Sequence, residues 1–238
     1  LTIMMTDLRG FTAISERLPA ETDKRIINIF LEIMTEIILK YQGTIDEFIG
    51  DAILAIFGAP ILQEDDAQRA VACALEMQQA MDDVNARYRE AGYPEVSMGI
   101  GINTGDVVVG NIGSSKRTKY GVVGRHVNLT SRIETYTVGG QILISESTLQ
   151  ECDGLLRIDD QMEVMPKGVR EPISIYEVGG IGGKFKIALP EKQPVELIPL
   201  TQPVTVRFTF LEGKHTGKDL YTATITKMHD RIAEVQTT

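Results

Sequence analysis

TIDEFIGDAILAIFG, residues 44–58, is the stretch on which the fold turns. Two short apolar runs, TIDEFIG and AILAIFG, meet at Gly50-Asp51, and the pattern predicts two strands joined by a tight turn. Asp51 stands at the mouth of the second run, and Glu47 lies four residues before it, inside the first. Upstream, LTIMMTD (residues 1–7) reads as a buried strand ending at another carboxylate, Asp7. Between them, residues 21–43 place Ile26, Phe30, Ile33 and Ile37 at helical spacing, with Ile27, Met34 and Ile38 alongside, and Gly43 is expected to stop the helix.

Working outward, a second long helix is expected from Asp65 to about Arg89, with Ala67, Ala70, Ala74, Met77, Met81 and Val84 on one side. Its acidic start, Glu64-Asp65-Asp66, suits the helix dipole. VSMGIGINTGDVVVGNIG (96–113) predicts two strands around a Gly-rich turn, and GRHVNLTSRIETYT (124–137) a short helix ending near Gly139-Gly140. QILIS (141–145) reads as a strand, and MEVMPKGVREPISIYEV (162–178) as a closing hairpin. Alternation of this kind predicts an α/β layer sandwich. After Val178 the composition changes, and GGIGGKFKIALPEKQP reads as a linker. VTVRFTF, LYTATITKM and RIAEVQT then predict strands of a small β unit.

The formal charge of −9 argues against a nucleic-acid-binding surface. Cys73 and Cys152 have no metal-type partner spacing, and Cys73 lies in an apolar helical stripe as a small buried hydrophobe. No apolar run approaches the roughly 18 residues of a membrane span, and no signal peptide opens the chain, so a cytoplasmic protein is expected. Leu1 is not an initiator, which predicts a piece of a longer protein with an upstream regulatory domain.

Carboxylates at the ends of adjacent strands can reach the same divalent cations, and Asp oxygens suit magnesium or manganese. The turn and helix start after Asp7, LRGFT, would offer backbone N–H groups to a phosphate. Five motifs then follow in order: TDLRGFT, EFIGDAILAIFG, GINTGDVVVGNIG, GVVGRHVNLTSRIE and PKGVREPISIYEV. Together they resemble the catalytic domains of class III nucleotidyl cyclases over residues 1–180, with 181–238 left as linker and truncated β-rich extension. The tail faintly resembles the start of a PilZ-like β-barrel, but the arginine-rich entrance motif is absent and the truncated extension is the preferred reading.

The resemblance implies an α+β fold with a ferredoxin-like βαββαβ core and a mixed sheet flanked by helices. It implies conversion of a nucleoside triphosphate into a 3′,5′-cyclic monophosphate and pyrophosphate, at two sites shared across a head-to-tail homodimer. Carried onto this chain, it makes Asp7 and Asp51, with the Leu8 carbonyl, ligands of two divalent cations, Mg or Mn. The Phe11 and Thr12 N–H groups would lie along the triphosphate, Lys167 would grip its terminal phosphates, and Arg117 would assist there, with Lys116 and Lys119 as rivals. Asn128 and Arg132, four apart on one helix face, would come from the opposite chain to orient the ribose and meet charge on the α-phosphate.

The resemblance makes Glu47 and Gly121 the base-reading positions, and Glu is what guanylyl cyclases have at the first. Guanine presents N1–H and N2–H₂ as a donor pair that one carboxylate can accept, whereas adenine N1 is a lone pair that a carboxylate repels. GTP is therefore the expected substrate and the protein a guanylyl cyclase; the alternatives are an adenylyl cyclase with relaxed base recognition and a silent cyclase-like regulatory module. Gly121 supplies no side-chain donor for guanine O6, where the commoner guanylyl pattern has Cys. Strand alternation is expected to send Asp46 to the face opposite Glu47, and His126 is expected to be a partly exposed structural residue.

Overall fold

The computed structural model describes residues 1–238 except 167, 170, 192–195, 210, 213, 214, 217, 218, 230, 231 and 238. It divides into two units, Leu1–Pro190 and Glu191–Thr238. In the first, strand β1 (Thr2–Arg9) leads through a short helix α1 (Phe11–Ser15) into α2 (Ala20–Lys40). The hairpin β2 (Thr44–Ile49) and β3 (Ala52–Phe57), helix α3 (Asp66–Ala91) and β4 (Ser97–Thr104) complete a βαββαβ core. Its strands run in the order β4-β1-β3-β2, antiparallel throughout, which is the ferredoxin-like arrangement.

Next come the two-stranded ribbon of β5 (Val108–Ser114) and β6 (Arg117–Val123), helix α4 (Arg125–Thr135), β7 (Ile142–Ser145) and helix α5 (Glu146–Glu151). Strands β8 (Leu156–Val164), β9 (Ile173–Ile181) and β10 (Ile187–Ala188) then extend the sheet beyond β7, which joins β4 in parallel and makes the sheet mixed. Strand β6 and helix α5 fall where the sequence analysis assigns no element; the one legible signal for α5 is Ser145, whose hydroxyl accepts the Thr148 N–H.

The apolar stripes do what their spacing predicts. Ile26, Phe30, Met34 and Ile38 of α2 are fully buried with Met4, Ile53 and Phe57 of the sheet, and the alanines of α3 let that helix lie close on the same face. Truncating a buried residue such as Phe30 to alanine would cost about 3–5 kcal/mol. Gly43 does not end α2 in the way expected. Gln42 takes the left-handed conformation there, φ 59°, while a Cβ on Gly43 would overlap Ile38 and Phe57. The glycine is there for close approach rather than for backbone freedom.

The segment from 181 to 190, expected as linker, is part of the first unit. Ile187 pairs with Ile181, Phe185 stacks 6.2 Å from Tyr41, and Lys184 pairs with Asp65. Both cysteines are buried and free, and burial pushes the Cys152 thiol up to about 12. Among the described residues no helix is long and apolar enough to cross a membrane. The second unit carries a three-stranded antiparallel sheet of β11 (Ile198–Phe208), β14 (Tyr221–His229) and β15 (Ile232–Thr237), with β12 (Leu211–Glu212) and β13 (His215–Thr216) as a small hairpin.

Candidate functional site

Strand β1 runs two residues past Asp7, because Leu8 and Arg9 continue its alternation. Leu8 is buried against the helices, whereas Ile3 and Met5 belong to the apolar cluster on the other face of the sheet, the face that Asp7 shares by parity. The ladder to β3 ends at Thr6↔Ile53, while the ladder to β4 continues to Arg9↔Ser97. The ladder to β3 thus stops before residues 7–9, and continuing its antiparallel register would set Asp51 across from Leu8, the next residue along the strand from Asp7. Gly10, at φ 71°, makes the turn that places Phe11 and Thr12 in the first turn of α1, where no intrahelical carbonyl is available to their N–H groups.

Hard oxygen donors on two neighbouring strands, with a helix start at their mouth, fit magnesium or manganese that takes the rest of its shell from water and phosphate. Among the described residues no group of three or more His, Cys, Asp or Glu could hold a metal without such help.

Glu47 lies on β2, the edge strand of the sheet, with its side chain half exposed at 50%. Asp46 does not go to the opposite face. The ladder between β2 and β3 shifts register between Ile45 and Glu47, and this bulge breaks the alternation. Lys119 of β6 consequently reaches both carboxylates, at 3.1 Å to Glu47 and 3.6 Å to Asp46. Asp46 is 4% exposed and accepts the Val122 N–H at 3.0 Å, which ties β2 to the ribbon. A Cβ on Gly121 would sit 3.0 Å from Asp46 Oδ1 and 3.3 Å from the Lys119 Cε. The two positions expected to read the base are therefore neighbours, joined by two residues that sequence reasoning had left aside or placed on the phosphate side. The hydrogen bond that Lys119 donates to Glu47 raises the lysine's pKa against desolvation, and Asp46 adds to the pull.

Helix α4 presents Asn128 exposed and Arg132 half buried. Beneath it, Gly99 and Gly101 of β4 leave room for the helix: a Cβ on Gly101 would overlap the Glu134 backbone. The guanidinium of Arg132 lies 3.4 Å from where a Gly168 Cβ would be, so the loop between β8 and β9 comes to the same end of α4. Lys167 of that loop is outside the described residues. Arg117 is at the exposed tip of the β5–β6 ribbon, four residues or about 13 Å along the strand from Gly121.

His126, at the first turn of α4, is half buried as expected. Asn103 Nδ2 lies 3.1 Å from its Nδ1 and Arg125 Nε lies 3.2 Å from its Nε2. Burial, then Arg125, lowers its pKa from 6.5, with Asp106 pulling the other way. The unfolded chain then binds the proton more readily, so this contribution to stability is complete above about pH 6.5 and is lost as the pH falls. Melting curves between pH 7.5 and 5.5 should show a drop that His126→Gln makes shallower; equal slopes for the two proteins would refute it. A cavity of about 280 Å³ beside this histidine is lined by Asn103, Leu129, Ser145, Ser147 and Ser174 among others, and includes none of the expected site residues.

Residues 1–180 match the family described as the adenylate and guanylate cyclase catalytic domain. The chain is 39% identical over 189 residues to an adenylate cyclase of Anabaena cylindrica, covering 75% of this chain and 36% of that one. Among solved structures, it resembles the guanylyl cyclase Cya2 with a TM-score of 0.78 and 52% identity, over 79% of this chain and 96% of the other. It resembles the adenylyl cyclase CyaB from P. aeruginosa with a TM-score of 0.73 and 36% identity, over 79% and 96%. The chain spans about a third of the length of the first curated relatives it matches.

Proposed function

The chain belongs to the adenylate and guanylate cyclase catalytic domain family, and from that premise we propose that it is a guanylyl cyclase acting as a homodimer with two shared sites. The observation that carries the choice of base is the Glu47 carboxylate, held by Lys119 at 3.1 Å beside a position that has no side chain. A fixed, ionised acceptor matches the N1–H and N2–H₂ donor pair of guanine and meets adenine N1 with repulsion. Relatives carry both the adenylate and the guanylyl name, so this carboxylate is what separates the readings.

The shared site is supported by what surrounds Glu47. Phe48 and Ile49 on the edge strand, with Val108, Tyr120 and Val123 on the ribbon, are exposed apolar side chains. Such a patch is what a second copy would cover. Among the structures this chain resembles, one guanylyl cyclase domain is described as a non-canonical dimer and again as a monomer, so the shared-site dimer rests on this apolar patch and on the division of the site residues.

In this reading one chain brings Asp7, Asp51 and the Leu8 carbonyl, and its partner brings Glu47, Gly121, Asn128 and Arg132. Two Mg or Mn ions held by the aspartates would supply Lewis-acid polarisation and neutralise phosphate charge. Glu47 fixes the purine, and Asn128 holds the ribose so that its 3′-oxygen faces the α-phosphorus. As the 3′-hydroxyl gives up its proton to water, its oxygen bonds to phosphorus and pyrophosphate leaves, and Arg132 meets the negative charge that builds on the α-phosphate oxygens. Phe11 and Thr12 N–H groups, Lys167 and Arg117 bind the phosphates. The test is turnover of GTP and ATP with manganese across protein concentration: cyclic GMP should form faster and activity per chain should rise with concentration. Faster cyclic AMP formation would reject the base assignment, and concentration-independent activity persisting in a monomer would reject the shared site.

A further inference from the structure

Arg9 lies between the two halves of machinery that one chain contributes. Its Nη1 is 3.5 Å from Asp7 Oδ2 on the same strand. Its Nη2 donates to the Glu134 carbonyl at 2.7 Å, and also to the Glu134 carboxylate and the Thr137 hydroxyl. Glu134 is in the last turn of α4 and Thr137 lies just beyond its end, on the helix that carries Asn128 and Arg132. The slot is built for this side chain. Gly99, directly across from Asp7 in the β1–β4 ladder, has no room for a Cβ because the guanidinium and the Thr137 hydroxyl lie over it.

The strengths of the contacts divide the work. Arg9 is 17% exposed and Glu134 2%, so their charge-assisted bonds form in a poorly hydrated place and hold the guanidinium to α4. The separation from Asp7, at 3.5 Å, is beyond a good hydrogen bond, so Arg9 attracts and orients that carboxylate without occupying it as a bidentate fork would. Arg9 Nε is buried with no hydrogen-bond partner among the described residues. An orphaned donor costs stability, and a side chain that tolerates one is placed for geometry.

We propose that Arg9 is a positioning residue that locks Asp7 to helix α4, and that through it each chain couples the metal-holding half of one site to the Asn128–Arg132 half of the other. The coupling rests on the shared-site reading above, because only in such a dimer do Asp7 and Arg132 of one chain serve different substrates. The element both sites bias is then the docking of α4 on β1 and β4.

The test uses Arg9→Lys, which keeps the charge and loses the two-pronged geometry. Manganese binding, followed by the electron paramagnetic resonance signal of free Mn²⁺ in the presence of a 3′-deoxy GTP analogue, should weaken about tenfold, as for other groups that orient metal ligands. Coupling is read in mixed dimers of an Asp51→Asn chain with an Arg132→Ala chain, which keep one intact site. Arg9→Lys on the Arg132→Ala chain, which supplies Asp7 to that site, should lower turnover about tenfold. On the Asp51→Asn chain, which supplies Glu47, Gly121 and the α4 residues but not Asp7 to that site, it should also lower turnover, by about threefold or more.

Unchanged turnover in the second placement would overturn the coupling. A lowered melting temperature with unchanged Mn²⁺ affinity would show a purely structural residue and overturn the positioning role. Where Arg9→Lys unfolds the chain, Glu134→Gln, which keeps the slot filled and weakens the grip on Arg9, is expected to shift Mn²⁺ affinity in the same direction. Mixed dimers that are silent even with Arg9 intact would instead refute the shared site and with it the coupling, while the Mn²⁺ titration would still decide the positioning role.

Discussion

Asp51→Asn and Arg132→Ala, each nearly inactive alone, should give back about a quarter of wild-type turnover when the two proteins are mixed and allowed to exchange subunits. In the proposed shared site each single change strikes a different half. Loss of a metal-binding carboxylate removes the electrostatic support of the phosphates, and loss of the guanidinium removes charge stabilisation at the α-phosphate, each worth about 10²–10³ in turnover or more. In the mixture, about half of the dimers are mixed, and each of those has one intact site of two, hence the quarter. The control is built into the same logic. Asp7→Asn mixed with Asp51→Asn should stay inactive, because in the proposed site both aspartates come from the same chain, at neighbouring ends of β1 and β3, and every site then inherits a damaged pair. Recovery in that control, or none in the first mixture after exchange is verified by co-purification of differently tagged chains, would show that the halves are not divided between chains in this way.

How much of this was legible beforehand follows from which forces are local. The long helices and the β1, β2–β3 and β4 strands were readable because their burial repeats along the chain, as at Ile26, Phe30, Met34 and Ile38. Contacts that depend on a second element were not. The bulge at Asp46 turns a carboxylate expected on the face opposite Glu47 into a buried acceptor for the Val122 N–H, and nothing in TIDEF announces it. Strand β6 was hidden because GSSKRTKY is polar: it pairs along its backbone with β5 while its side chains stay exposed up to Tyr120. Gly99 and Gly101 alternate with buried isoleucines, and that alternation was a readable sign of close approach to one face of β4. Arg9 shared a strand face with Asp7 by simple parity, which was the available signal for their contact.

Glu47→Lys should lower kcat/KM for GTP by about 10²–10⁴, since in the proposed site it replaces the acceptor of two guanine N–H groups by a donor and leaves both unpaired against a cation. ATP use should stay slow in this single variant. Lysine can donate to adenine N1, but Gly121 still offers nothing to the N6 amino group. The structure says what a second change must look like. A Cβ at 121 meets Asp46 Oδ1 at 3.0 Å, so an aspartate there would bring a second carboxylate against a buried one. A threonine instead can donate its hydroxyl proton to Asp46 and accept from the amino group, and Glu47→Lys/Gly121→Thr is the combination expected to turn over ATP. Lys119→Met tests the remaining partner: freeing Glu47 from its ion pair should raise KM for GTP and cut the preference over ATP about tenfold, with little loss of kcat at saturation. Steady-state rates on both nucleotides measure all three variants. Substantial cyclic AMP formation by Glu47→Lys alone would show that the second position is dispensable, and undiminished GTP turnover by that variant would remove the carboxylate from base recognition altogether.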